Sequence, residues 1–173
     1  MKKSALIFAS IAMLSIFAGC SKKGANGSAA KPVPKDFILA TGGTSGTYYP
    51  FGGAMAQIWN DGIPGMTVTA QATGASAENL RLIGKGDAEY AIVQNDVMDY
   101  AYKGVDLFEG EKVPNLATIG TLYPEVVQIA VSKESGIKSV ADFKGKRISV
   151  GAAGSGVEFN AKQVLEGYGL TFA

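Results

Sequence analysis

Twice in this chain a short apolar run breaks into a loop of Gly, Ser, Thr and Ala that opens an amphipathic helix. The first unit is Phe37-Ile-Leu-Ala40, then Thr41-Gly-Gly-Thr-Ser-Gly-Thr47, then Phe51, Met55, Ile58 and Trp59 along one helical face. Thr47 is placed to cap that helix, and Pro50 falls in its first turn, where a missing N–H costs little. The second unit is Arg147-Ile-Ser-Val150, Gly151-Ala-Ala-Gly-Ser-Gly156, then Val157, Ala161, Val164, Leu165 and Tyr168, with Gly169 as the C-terminal stop. Between them, Met66 to Ala70 alternates like a strand, and Ser76 opens a short helix carrying Leu80 and Ile83 and stopped by Gly84. Tyr90 to Gln94 reads as a strand, and Asn95 caps a helix that ends at Gly104. Leu116–Leu122 and Val126–Val131 read as two further strands, and Ser139 to Asp142 as a helical turn. Strands alternating with helices give an α/β architecture with largely parallel pairing.

The loops carry the chemistry. A Gly-rich turn that opens a helix points free backbone N–H groups outward, and the helix dipole adds about half a positive charge there. Ser and Thr hydroxyls add donors, so such a loop holds a carboxylate or phosphate without a cationic side chain. In open α/β sheets these loops lie at the carboxyl ends of the strands, where ligands sit. Neither loop is a Walker motif or a Gly-x-Gly-x-x-Gly fingerprint, and the plain alternative is a tight βα turn. Of Tyr48 and Tyr49, at most one can face the core, leaving the other to line a pocket. Gln94, Asn95 and Asp96 end an apolar strand at the same edge; Glu125, after a Pro, is a contact at the hinge or an exposed turn.

Composition removes most catalytic alternatives. With no His there is no Ser-His-Asp triad, Cys-His dyad or imidazole base, and one Cys excludes intramolecular disulfides and Cys-cluster metal sites. No metal or other cofactor is implied. A net charge of +1 gives nucleic-acid binding no support.

The one Cys has its own explanation. Met1-Lys-Lys3 is a basic start, Ala5 to Phe17 is apolar, and Ala18-Gly19 precede Cys20. This resembles a lipoprotein signal with its lipobox, Phe17 standing where Leu is usual, and implies acylation of Cys20 and a membrane anchor after removal of residues 1–19. Residues 20–36 are rich in Lys, Gly, Ala, Ser and Pro and read as a flexible tether.

Six stretches then stand in order: Thr41 to Pro50, Ala77-Glu-Asn-Leu-Arg81, Val93-Gln-Asn-Asp96, Leu122-Tyr-Pro-Glu-Val126, Gly136 to Lys146, and Val150 to Gly156. Together they resemble the TAXI family of TRAP-transporter solute-binding receptors. The Ser139-Val-Ala-Asp-Phe-Lys-Gly-Lys146 run alone is shared more widely among type II periplasmic binding proteins. The resemblance implies a two-lobed receptor that captures a small carboxylate, glutamate or a relative, and delivers it to a TRAP permease in the membrane. By position it assigns Gly43, Thr44, Ser45, Thr47 and Tyr48 to the ligand loop of lobe one, with Gln94 beside them, and Ser155, Gly156 and Val157 to lobe two. Ala152-Ala153 stands where relatives often carry Pro. Family members are nearly twice this long, so the resemblance implies lobe one over residues 37–131 and only the opening of lobe two over 132–173, whose Ile148, Val150, Val164 and Leu165 are expected to lack packing partners. The competing readings are a lipoprotein that senses a ligand for a signalling partner, and an enzyme using the Gly-Ser loops on a nucleotide or ester.

Overall fold

A computed structural model describes residues 36–172; Cys20, the leader at 1–19 and the tether through residue 35 lie outside the described residues. β1 (Asp36–Ala40) is the centre of a three-stranded parallel sheet of order β2-β1-β3, with β2 (Thr67–Gln71) on one side and β3 (Tyr90–Ala91) on the other. Asp36 stands opposite Thr67, and Leu39 opposite Tyr90. β1 pairs on both edges, and at its carboxyl end Leu39 and Ala40 are buried. The α/β class read from the sequence is the class of the structure.

α1 (Tyr48–Gly62) joins β1 to β2, and α2 (Ser76–Lys85) crosses from β2 to β3. α3 (Asn95–Lys103) follows, and α4 (Gly156–Gly167) comes late in the chain. Single helical turns occupy Asp106–Phe108, Lys133–Ser135 and Val140–Phe143. Positive-φ glycines end three helices: Gly86 after α2, Gly104 after α3 and Gly169 after α4. At the last, Gly169 N–H donates to Glu166 O and Leu170 N–H to Leu165 O, the paired bonds of a Schellman stop.

Two cores result. One joins α1 to the sheet through Leu39, Tyr48, Ala56, Val68 and Ile92, with Met55 and Trp59 packed against it. The other joins α2, α3 and α4 through Leu80, Val97, Ala101, Phe108, Val113 and Phe159. Each large apolar side chain buried there contributes about 1.5–3 kcal/mol against exposure.

Several local expectations are corrected. The buried face of α1 runs through Tyr48, Gly52 and Ala56, so Phe51 and Ile58 are turned out. Gly52 lets the helix lie against the sheet, where a Cβ would come 2.5 Å from Thr41 Cγ2. Thr47 has helical dihedrals and makes no side-chain cap. α2 runs through Gly84 to Lys85 and stops at Gly86 instead, which takes φ +79°. β3 keeps only two residues of the expected 90–94 strand. Segments 116–122, 126–131 and 147–150 form no strand among the described residues. A strand is stable only in a ladder, and no described backbone pairs with these runs; Val126, Val127, Ile129 and Val131 are exposed. α4, in contrast, does find partners: Phe159 and Leu165 are buried, and the Phe159 ring lies 5.1 Å from that of Tyr100 on α3.

Candidate functional site

The three loops leaving the carboxyl ends of β1, β2 and β3 meet at the start of α2. Thr41 is fully buried; its N–H and its hydroxyl both donate to Gln71 O, at 3.0 and 2.6 Å. Thr73 N–H donates to Gly42 O, tying the second loop to the first. Beyond this tie the first loop swings outward. Gly43 to Thr47 are exposed, and Gly46 N–H closes a turn on Gly43 O at 2.8 Å. The N–H groups of Gly43, Thr44, Ser45 and Thr47 find no acceptor among the described residues.

The charge at the helix starts separates α1 from the rest. α2 carries Glu78 in its first turn, α3 Asp96 and α4 Glu158, whereas α1 carries no acid there. Glu78 accepts from Gly74 N–H and Glu158 from Gly154 N–H, both at 2.7 Å, so two of these helix starts already hold a carboxylate. The N-terminal end of α1, fed by the exposed loop, is left uncompensated by its own side chains.

Tyr48 is the member of the tyrosine pair that faces the core. Its hydroxyl reaches back to the rim and donates to Glu125 Oε2 at 2.9 Å. Burial, then the charge of Glu125, pushes this phenol far above its ordinary range, so it remains a donor. Tyr123 is raised for the same two reasons.

Gln94 lies on the far side of α2's start. Its backbone N–H donates to Ser76 Oγ at 3.1 Å, and its amide donates to Asn160 Oδ1 of α4 at 2.7 Å. Gly156 sits directly against the Gln94 side chain, leaving no room for a Cβ. Ser155 is buried and accepts from Glu158 N–H at 3.1 Å as the cap of α4, while Gly154 O accepts from Ala77 N–H of α2. The structure therefore brings Gln94, Ser155 and Gly156 together: the Gln94 amide bonds to Asn160 of α4, Gly156 lies against the Gln94 side chain, and Ser155 bonds within its own helix. Val157 faces outward, 61% exposed. Gly43, Thr44, Ser45 and Thr47 form a separate, open group around the start of α1.

Two residues at the centre of this arrangement were not singled out as site residues. Ser76 is buried, and its hydroxyl oxygen accepts from Gln94 N–H, tying the third loop to the start of α2. Asn79 is fully buried; it donates to Thr41 O at 2.6 Å and Ile92 O at 2.8 Å and accepts from Thr73 Oγ1 at 2.6 Å, fixing all three loops. The sequence signal was an uncharged Asn on the apolar face of a short helix. Immediately before Ser76, Ala75 holds φ +72° and ψ −145°, a conformation that strongly favours glycine.

Two clefts, of 190 Å³ beside Arg81 and Lys112 and of 230 Å³ beside Ile129 and Phe143, take no residue from these loops. Among the described residues no three Asp, Glu, Cys or His side chains gather to hold a metal ion. Along the sequence, a family model described as the NMT1-like family matches residues 39–173, a span that takes in both glycine loops, Gln94 and Glu125.

Proposed function

The chain belongs to the NMT1-like family, a periplasmic-binding-protein-like family, and from that premise we propose that it is an extracytoplasmic solute-binding protein that takes a small carboxylate on the Gly43–Thr47 loop. One observation carries the reading: this loop presents four unbonded N–H groups to solvent at the one described helix start without an acid in its first turn. A carboxylate placed there would receive backbone and hydroxyl donors together with the dipole of α1. Thr44 and Ser45 contribute hydroxyls, and Tyr48 follows the loop directly in the chain.

The second loop has the complementary role. Gln94 completes the binding side, and Ser155, Gly156 and Val157 form the closing side, the junction of α4 with α2 and α3 opening and shutting over the bound acid. Residues 37–131 then act as the binding lobe and 132–173 as the moving part. In this reading the protein is a TAXI-type receptor, anchored through acylated Cys20, which hands glutamate or a related acid to a TRAP permease.

Thermal shift and isothermal titration of the purified chain against L-glutamate, succinate, L-leucine and 2-oxo acids test the substrate class, since a ligand that binds only the folded state raises its stability. Binding of at least one acid is expected. Ser45→Asp, at an exposed position, puts a like charge in the loop and weakens that binding by about tenfold or more. Unchanged affinity in Ser45→Asp moves the site elsewhere. Labelling with a fatty-acid analogue, lost in Cys20→Ser, tests the anchor.

A further inference from the structure

The run Val126-Val-Gln-Ile-Ala-Val131 has the composition of a strand and no ladder to join. Among the described residues, none of its backbone N–H or C=O groups makes a hydrogen bond. In an extended run alternate side chains share a face, so Val127, Ile129 and Val131 go together. All three are exposed, and Ile129 and Val131 line the 230 Å³ cleft whose far wall is Ile137, Val140 and Phe143. Phe143 is buried, so the helical turn Val140–Phe143 gives this face an apolar backing. The opposite face, with Gln128 and Ser132, is the more polar one.

Carried one step further each way, the apolar face reads Glu125, Val127, Ile129, Val131, Lys133: a negative end, β-branched residues between, and a positive end. Such a face is its own complement. When two copies pair antiparallel about a two-fold axis through Ile129, Val127 stands opposite Val131, and Glu125 stands opposite Lys133 at both ends. A slip of two residues sets Glu125 opposite Val131 or Ser135 and loses both charge pairs. Parallel pairing in register sets like charges together. Both charges are free to serve. The ion pairs among the described residues join Arg81 to Glu111, Lys103 to Asp99 and Lys162 to Glu166, and Glu125 takes only the Tyr48 hydroxyl. A lone two-stranded ribbon is marginal in water, but here each strand brings its own backing of Val140 and Phe143 to the same side of the ribbon.

We propose that residues 125–133 form a self-pairing strand through which two copies of this chain associate antiparallel, each end closed by Glu125 of one copy against Lys133 of the other. This is independent of what the glycine loop binds. One strand per copy makes a small interface, so the dimer is reversible and depends on concentration. Sedimentation velocity of the purified full chain over a concentration series should show a monomer–dimer equilibrium. Glu125→Lys and Lys133→Glu each set like charges opposite one another at both ends, and each should weaken the dimer by about tenfold or more. One variant then carries two positive ends and the other two negative ends. Mixed in equal amounts, with one of them fluorescently labelled, they should pair with each other about as tightly as the wild type pairs with itself. Amide exchange at residues 126–131 of the wild type should slow as the concentration rises. A chain that stays monomeric overturns the proposal. So does a dimer that neither single variant weakens, since association through the apolar leader or Cys20 is indifferent to these charges. Failure of the mixture to recover pairing overturns it as well, and so does growth beyond the dimer, which a closed two-fold pair forbids.

Discussion

Asn79 carries more of the local geometry than any other single side chain in the candidate site. Its amide protons serve carbonyls at the ends of β1 and β3, and its oxygen takes the Thr73 hydroxyl. Asn79→Ala leaves those groups buried and unpaired, so unfolding in urea should show a loss of about 2–4 kcal/mol. Ala75 predicts the opposite sign. Its positive φ costs roughly 1–3 kcal/mol, which Gly avoids at the expense of a more flexible unfolded chain, so Ala75→Gly should stabilise by about 1 kcal/mol. Tyr48 gives a pH dependence. Its phenol is raised above the ordinary 10.0 by burial and then by Glu125, so below that value both folded and unfolded states keep the proton and its contribution is complete. Above it the unfolded chain releases the proton first, and stability falls as pH rises. Melting between about pH 9 and about pH 11 should drop more steeply in the wild type than in Tyr48→Phe. Little of this was legible beforehand. An Asn, an Ala and a Tyr have no signature of burial or strain until the fold sets three loops around them.

At the level of elements, local pattern and tertiary context part company in instructive ways. α3 and its Gly104 stop, the Gly169 stop of α4 and the strand β1 are written in spacing and in glycine, because each depends on residues near in sequence. The inner face of α1 is different. Phe51, Met55, Ile58 and Trp59 have good helical spacing, yet the helix presents Gly52 and Ala56 to the sheet, because close approach to β1 needs small residues there. Apolar spacing reports a stripe; it does not report which side of the stripe the neighbour can approach. Runs 116–122 and 126–131 have strand composition but lack a ladder, and composition cannot supply the partner. α4 is held mainly through Phe159, against Tyr100 and the second core. Phe159→Ala should release α4 while the sheet stays folded, seen as fast hydrogen exchange of amides 156–167 with slow exchange kept in β1. Equal protection in both variants would show that the Gln94–Asn160 contact suffices to hold the helix.

For the molecule as a whole, order is uneven along the chain. The sheet, α1, α2 and α3 share dense packing, whereas residues 117–132 are exposed and without regular structure. Thermolysin, which cuts before large apolar residues, should open the chain first between Thr118 and Val131, leaving residues 36–108 joined. The same stretch, Val126-Val-Gln-Ile-Ala-Val131, has no charge and no Pro and presents free backbone, a composition prone to pairing between chains. The strand order β2-β1-β3 also has a consequence in time. β1 is the earliest described element to leave the ribosome, yet its first register partner is Thr67 and its other neighbour begins only at Tyr90. The central strand thus waits, with Phe37-Ile-Leu-Ala40 uncovered, until both crossover helices have been made. Refolding is set by the closure of two long loops onto one short strand, and whatever shields those four residues in the interval decides how much of the chain reaches the folded state.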